Sequence, residues 1–465
     1  MPGSALTRFR LALAVLILVG LAIGLVMAAR SQVAGDQLNL LARGWRLAAD
    51  GVVVPYGNPT SAGGNSPGPL QSVLTGVPLL LWRDYRAPAL AILLAHVVAW
   101  LALDRLLAAA AGRSERLLFA IAFWLNPWQL YFAGHVWNAN WLVPFGVLYT
   151  VTAWRLRERP AFWASFGHVL AVGLVFQLHQ SFVILLLATV VLAIGRQLRL
   201  HWAGALLAGA ATLAFLVPWL RAVSADPALL PGGTGFPARG LVFLFPLLRG
   251  IGYLLRYPSL SFSERMTTFD FTATLGAAGD ALLGPALHTV VVGVGAISVV
   301  VPVLAQLWLW PRLVRQWRCR RLAPASGRIW LVRHAGVVLV CALAAFVLAP
   351  TTVMVWQGFV VLHVAVLPVV LFAAGCLRSR RRVMARRIVV AWLAVTMIVA
   401  TAMAVSSPMY RRGGRSARSA ALHTYHPMLD ELGITRHCTV PVDPVNGWWV
   451  NALSWPAAAP TPDRQ

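Results

Sequence analysis

Long apolar runs separated by loops that carry arginine only on alternate turns constrain this chain more than any other feature. Runs of roughly 17 to 25 residues are the length that crosses a bilayer as helix. They fall at 11–29, 87–111, 117–133, 138–154, 161–178, 181–195, 202–223, 286–310, 329–349, 355–377 and 388–405. Arg113 and Arg116 follow the second run, Arg155, Arg157 and Arg159 the fourth, and Arg196 and Arg199 the sixth. Further clusters lie at 312–328 and 378–387, whereas the turns near 134–136, 179–180 and 350–354 carry no arginine. Cytoplasmic loops concentrate positive charge, so the N-terminus is expected inside and the C-terminal tail outside.

Composition fits this reading. Of 465 residues, 59% are apolar and 11% charged, whereas a soluble domain carries about 25% charged residues. A soluble enzyme, a disordered chain and a disulfide-rich secreted scaffold are all excluded. The net charge of +25, with no lysine, would suit nucleic acid, but its confinement to alternate loops makes it a topology signal, and no nucleic-acid partner is expected. The expected fold class is an all-α integral membrane protein with about eleven transmembrane helices over 1–405 and a short extracytoplasmic tail, 406–465, in a bacterial cytoplasmic membrane.

Two apolar stretches are not counted as spans. Residues 240–257 contain Pro246 and Arg249, and a span there would invert every later loop, so they read as interfacial or re-entrant within an outer loop, 224–285. Residues 69–82 align Leu70, Val73, Leu74, Val77, Leu80 and Leu81 on one stripe, too short to cross and suited to lie on the membrane. The first run, preceded by Arg8 and Arg10, has a cleaved signal peptide as its alternative. Cys341 and Cys376 sit in spans, Cys319 in an inner loop and Cys438 alone in the tail, so no outer disulfide pair is available.

This orientation sorts the acids. Glu115 and Glu158 are cytoplasmic and Asp104 lies beside Arg105 near the inner face; the other eleven face outward, Asp36 first among them. No phosphate-cradling glycine motif is present, and soluble nucleotide donors are absent outside the cell, so group transfer there requires a membrane-borne activated donor. The first outer loop, 30–86, holds Ala34-Gly35-Asp36-Gln37, a helical stripe of Leu38, Leu41, Trp45 and Ala49, the turn pair Asp50-Gly51, and Asn65-Ser66-Pro67-Gly68-Pro69-Leu70 before a second surface helix.

This layout resembles the GT-C class of polyprenyl-phosphate-dependent membrane glycosyltransferases, in particular bacterial relatives of protein O-mannosyltransferases and the aminoarabinose transferase. Asp36 and Gly68-Pro69-Leu70 match that family's acid and its turn ahead of the second juxtamembrane helix. Trp137-Asn138-Ala139-Asn140 and Gln177-Leu178-His179 resemble stretches of one bacterial branch, with Ala139 where that branch has proline. The resemblance covers about 1–220, and Gln37 stands where many relatives carry a second acid. It implies that Asp36 is the general base, accepting a proton from an acceptor hydroxyl on a glycan, lipid or protein while polyprenyl phosphate leaves. Gln37, Asn65, His135, Asn138, Asn140, His179, Gln180 and Arg221 are the candidate substrate-binding residues, several of them polar groups at outer span ends. Arg43, Arg46, Arg239, Arg249 and Arg256 join Arg221 as candidates to seat the phosphate. No cofactor is implied, and nothing in the sequence supports a divalent metal.

Simpler roles stand beside these. Asp36 could cap the helix that follows it. Asp50-Gly51 reads as turn chemistry, Asp84 as an ion pair with Arg83 or Arg86, and Trp137 and Trp141 as interface anchors. His423-x-x-His426 with His437-Cys438 has poor spacing for zinc. A transporter or flippase of lipid-linked sugars is the alternative function, although no internal repeat is visible; a non-catalytic envelope-assembly protein is the third.

Overall fold

The computed structural model describes residues 3–30, 33, 36–60, 63–230, 244–261, 269, 271–318, 326–349, 353–406, 428 and 431–432. Among the described residues, seven helices are long and apolar enough to cross a membrane, and in hydrocarbon only a helix satisfies its own backbone along such a path. The chain is a multi-pass membrane protein. All eleven apolar stretches fall on helical segments. Four of them are shorter or interrupted, so the count of eleven crossings is not reproduced.

In chain order the first half comprises α1 (Gly3–Ala29), α2 (Asp36–Asp50), a hairpin of β1 (Tyr56–Pro59) and β2 (Asn65–Pro67), α3 (Leu70–Leu81) and α4 (Arg86–Ala110). Then follow α5 (Arg113–Phe119), α6 (Pro127–Ala133), α7 (Leu142–Leu156), α8 (Phe162–Leu178), α9 (Phe182–Ile194) and α10 (Trp202–Ala225). The second half comprises α11 (Leu244–Arg256), α12 (Thr272–Ser298), α13 (Val300–Arg318), α14 (Gly327–Val347), α15 (Leu362–Leu377) and α16 (Arg382–Val405). A π-helical turn at Ala120–Trp124 and an N-cap at Asn126, which accepts from the Trp128 backbone N–H, break the third apolar run into α5 and α6. Helix α12 begins at Thr272, so helical structure enters a stretch read from the sequence as loop; its apolar run starts earlier than the span drawn there.

The centre is closed by α7, α14 and α15, packed with large rings such as Trp100, Trp124, Trp128 and Phe359, each fully buried. Buried polar groups within it are mutually engaged. Thr150 Oγ1 lies 2.8 Å from His363 Nε2 and 3.3 Å from His334 Nε2, and His168 bridges Thr152 at 3.2 Å and Thr189 at 3.1 Å. Polar groups at such depth persist where partners meet them. By contrast α10 turns Leu206, Leu213, Phe215 and Leu220 outward, as a lipid-facing helix must.

The two ends of the bundle differ in charge as the loops foretell. At one end Glu115 meets Arg378 at 2.6 Å and Arg328 at 3.3 Å, and the Arg199 N–H donates to the Leu156 carbonyl, so arginine-bearing loops meet each other. Asp104 pairs with Arg116 at 2.5 Å, rather than with its sequence neighbour Arg105. The arginine-poor turns gather at the other end: Asn138 donates to the Leu178 carbonyl at 3.0 Å and Ser181 Oγ to that of Gln357 at 2.6 Å.

At this second end α2 and α3 cross at glycines; a Cβ on Gly44 would lie 2.9 Å from the Gly76 nitrogen. The C-terminal part of the α3 stripe points away from the protein, with Val77, Leu80 and Leu81 exposed and Leu70 buried, while Ser72 and Thr75 are buried against α2 and Gln71 against β1. That inverted polarity suits a helix lying on a membrane with its polar face to the protein.

Candidate functional site

Asp36 is the first residue of α2, where the positive end of the helix dipole favours a negative charge. Among the described residues its carboxylate partner is Trp137, whose Nε1 donates to Oδ2 at 3.0 Å. The carboxylate is thus engaged across the fold, with a residue outside its own helix. Trp137, expected to anchor at the interface, instead sits edge-on to Trp356 with ring centres 5.2 Å apart and stacks with Phe132 at 5.9 Å. This packing fixes the indole and so the carboxylate it holds.

The hairpin supplies the opposite wall. Thr60 Oγ1 donates to the Gly63 carbonyl and the Thr60 N–H to that of Gly64, with both glycines in the left-handed region, which closes the turn between β1 and β2. Asn65 Nδ2 donates to the Gly57 carbonyl at 2.8 Å and holds the two strands together. Asn58 is then aimed inward. Its Nδ2 donates to the Asp36 carbonyl at 3.1 Å and its Oδ1 accepts from Arg43 Nη1 at 2.5 Å. Gly68 adopts a φ of +80° and lies so close to Gln177 that a Cβ would sit 2.3 Å from Oε1. The Gly68-Pro69-Leu70 turn therefore docks the first loop onto α8.

Burial dominates the electrostatics. Loss of solvent raises the Asp36 carboxyl above the usual carboxylate range, opposed by the Trp137 hydrogen bond and the Arg43 charge. The same burial lowers Arg43 to about 10, opposed by Tyr56 and Asp36. A carboxylate held this way is a stronger base than one in water.

Asp36 opens into a cavity of about 360 Å³, within the range of small-molecule sites. The hairpin contributes Asn58, Thr60 and Ser66; the turn after α6 contributes Trp137 and Asn138; the α8–α9 turn contributes His179 and Gln180. Phe176 and Phe182 flank that turn, Trp219 comes from α10, and Trp356 with Gln357 from the 3₁₀ segment Val355–Val361. His179 Nδ1 lies 2.6 Å from Ser181 Oγ and 3.1 Å from the Ser181 backbone nitrogen, contacts that fix the ring at the cavity. Burial lowers its pKa to about 4 and keeps it neutral.

Asp36, Asn138, His179 and Gln180 thus meet around one space, and the other expected residues lie elsewhere. His135 is 3% exposed with Nδ1 on the Tyr131 carbonyl. Asn140 is fully buried, donating to the His135 carbonyl while its own carbonyl meets His96; both serve the turn that presents Trp137. Asn65 holds the hairpin, Gln37 is next to the lip and not in the lining, and Arg221 is exposed on α10. Of the other arginines, Arg46 pairs with Asp50 at 2.7 Å and Arg256 packs over Trp128. Arg249 reaches Met354, two residues before Trp356. Arg239, Glu264, Asp270, Asp430 and the His423, His426, His437, Cys438 group lie outside the described residues. Asp84 pairs with Arg86, as expected.

Asn58, Trp219, Trp356 and Gln357 were missed from the sequence. Only tertiary packing assembles them, although the tryptophans' placement at span ends was a usable signal.

No protein-family model matches the sequence, and no curated protein matches it. Solved structures do. ArnT from Cupriavidus metallidurans bound to undecaprenyl phosphate superposes with a TM-score of 0.51 at 14% identity, over 92% of this chain and 85% of that one. An oligosaccharyltransferase from Archaeoglobus fulgidus, tethered to an acceptor peptide containing the NVT sequon, gives a TM-score of 0.50 at 12% identity. That match covers 96% of this chain but 63% of the archaeal enzyme, so the chain spans less than two thirds of its length. At such identities the likeness is one of fold, and the fold is that of the GT-C enzymes that the sequence resembles.

Proposed function

We propose that this multi-pass protein, with the fold of lipid-linked sugar transferases, moves a sugar from a polyprenyl-phosphate donor to a hydroxyl-bearing acceptor, with Asp36 as general base. The observation that carries the reading is a desolvated, indole-held carboxylate at the lip of a cavity, one wall of which is the lipid-facing helix α10. A prenyl chain lying along α10 would bring its phosphate and sugar to that lip. The alternating arginines support an extracytoplasmic position for it.

In this reaction Asp36 takes the proton from the acceptor hydroxyl as that oxygen bonds to the anomeric carbon. The bond between the anomeric carbon and the phosphate oxygen breaks, and its electron pair leaves with the polyprenyl phosphate. With Gln37 in place of a second acid, the leaving group departs as an anion and needs hydrogen-bond donors rather than a proton. The His179 imidazole and the Gln357 amide are at the cavity, with Arg249 tied to the segment that carries Gln357. Asp36 then returns its proton to solvent.

The test is transfer from radiolabelled polyprenyl-phosphate sugars in proteoliposomes by wild type and Asp36→Asn. Loss of transfer with donor binding retained is the expected result. Unchanged turnover removes Asp36 as the base, and movement of labelled lipid between leaflets without covalent transfer replaces the reading with a flippase.

A further inference from the structure

Asp36 is the one carboxylate among the described residues that line the cavity. Apart from Asp36, the polar groups lining it among the described residues are the amides and hydroxyls of Asn58, Thr60, Ser66, Asn138, Gln180 and Gln357, the imidazole of His179 and the indoles of three tryptophans. No arginine and no second carboxylate is in that lining. One donor there is left unused: the Trp219 Nε1–H is buried and has no hydrogen-bond partner among the described residues. A buried donor of this kind costs stability until an acceptor oxygen meets it.

We propose that the cavity selects an uncharged sugar, one that presents hydroxyls and no amine or carboxylate, with the Trp219 indole N–H donating to one of its oxygens. This specificity rests on the glycosyltransferase reading above. An anionic sugar would bring a second negative charge next to Asp36 with no guanidinium in the lining to offset it. An ammonium-bearing sugar would find one counter-ion, Asp36 itself, and pairing with it would take away the base on which transfer depends. Amides, hydroxyls and aromatic faces instead match the mixed polar and C–H surface of a neutral ring. Buried charge without a partner is penalised far more heavily than a buried hydroxyl that finds one, so the discrimination is built into the composition of the wall.

The probes are three farnesyl-phosphate sugars that differ at the exocyclic carbon alone: glucose, its amino-deoxy analogue and glucuronic acid, with farnesyl phosphate as the sugar-free reference. Binding is measured to purified full-length protein in Asp36→Asn form, which removes the one charge in the described lining, and transfer is measured with wild type. The glucose probe is expected to bind at least about tenfold more tightly than either charged probe. Trp219→Phe should weaken the glucose probe several-fold while leaving farnesyl phosphate unchanged. Gln180→Glu should raise the affinity for the amino probe relative to glucose by about tenfold, a gain that misfolding cannot mimic. Equal or tighter binding of the amino or uronate probe overturns the specificity and leaves the transferase reading standing. Failure of all four lipids to bind the protein overturns the transferase reading itself.

Discussion

Two carboxylates at opposite ends of the bundle, Glu115 and Asp36, are held in opposite ways. At one end Glu115, with a side chain 2% exposed, faces Arg328 and Arg378 from two other loops, and their charges hold its pKa below the ordinary range despite burial. At the other end Asp36 accepts from an indole N–H beside Arg43, which bonds Asn58, and burial raises its pKa against both. The first arrangement ties loops together and has no proton to exchange near neutral pH. The second leaves an acid poorly neutralised beside open space, which a folding chain tolerates where chemistry needs it.

Substitution should separate the two ends. The largest effect is expected from Asp36→Asn, which should cut transfer by about 10²- to 10⁴-fold, the usual contribution of a general base, in the proteoliposome assay. Glu115→Gln should instead lower stability by roughly 1–2 kcal/mol, discounted for the solvent-exposed arginines, and leave transfer per folded molecule near wild type; thermal unfolding in detergent measures the first and active-site-normalised turnover the second.

The pH dependence of stability sharpens the contrast, because the signs are opposite. Glu115 titrates lower in the folded state, so its stabilisation is present above the ordinary carboxylate pKa and is lost as pH falls through the folded value. Asp36 titrates higher, so the stability linked to its protonated form is present below the ordinary pKa and is lost as pH rises through the folded value. At neutral pH Asp36→Asn should therefore melt at or above wild type and Glu115→Gln below it, with both differences shrinking in acid. The smallest effect belongs to Asp50→Asn. Its partner Arg46 lies one helical turn away, 2.7 Å distant, and such exposed pairs contribute about 0.3–0.5 kcal/mol; thermal unfolding should barely resolve the loss.

Much of this was legible in the chain itself. The arginine alternation sorted loops to two ends, and the contacts among Glu115, Arg328 and Arg378 bring three of those loops together. Asp36 and the Gly68-Pro69-Leu70 turn stood out by their place in the first loop. The rest was hidden because hydropathy is blind to which polar group faces a cavity. Asn140 and His135, polar at a span end, are spent on turn backbone, while Asn58 in an unremarked hairpin reaches Asp36. Trp137 satisfied the composition of an interface anchor, and only its hydrogen bond across 101 residues of sequence reveals its other task.

The most direct measurement is the pH profile of kcat/KM for wild type beside Trp137→Phe, which keeps the ring and removes the N–H donor. Wild-type transfer should fall in acid with a midpoint above the ordinary aspartate value of 3.8, and the variant's midpoint should move higher, because the lost hydrogen bond favoured the ionised carboxylate. Coincident acid limbs for the two proteins would contradict the assignment of Asp36 as the base.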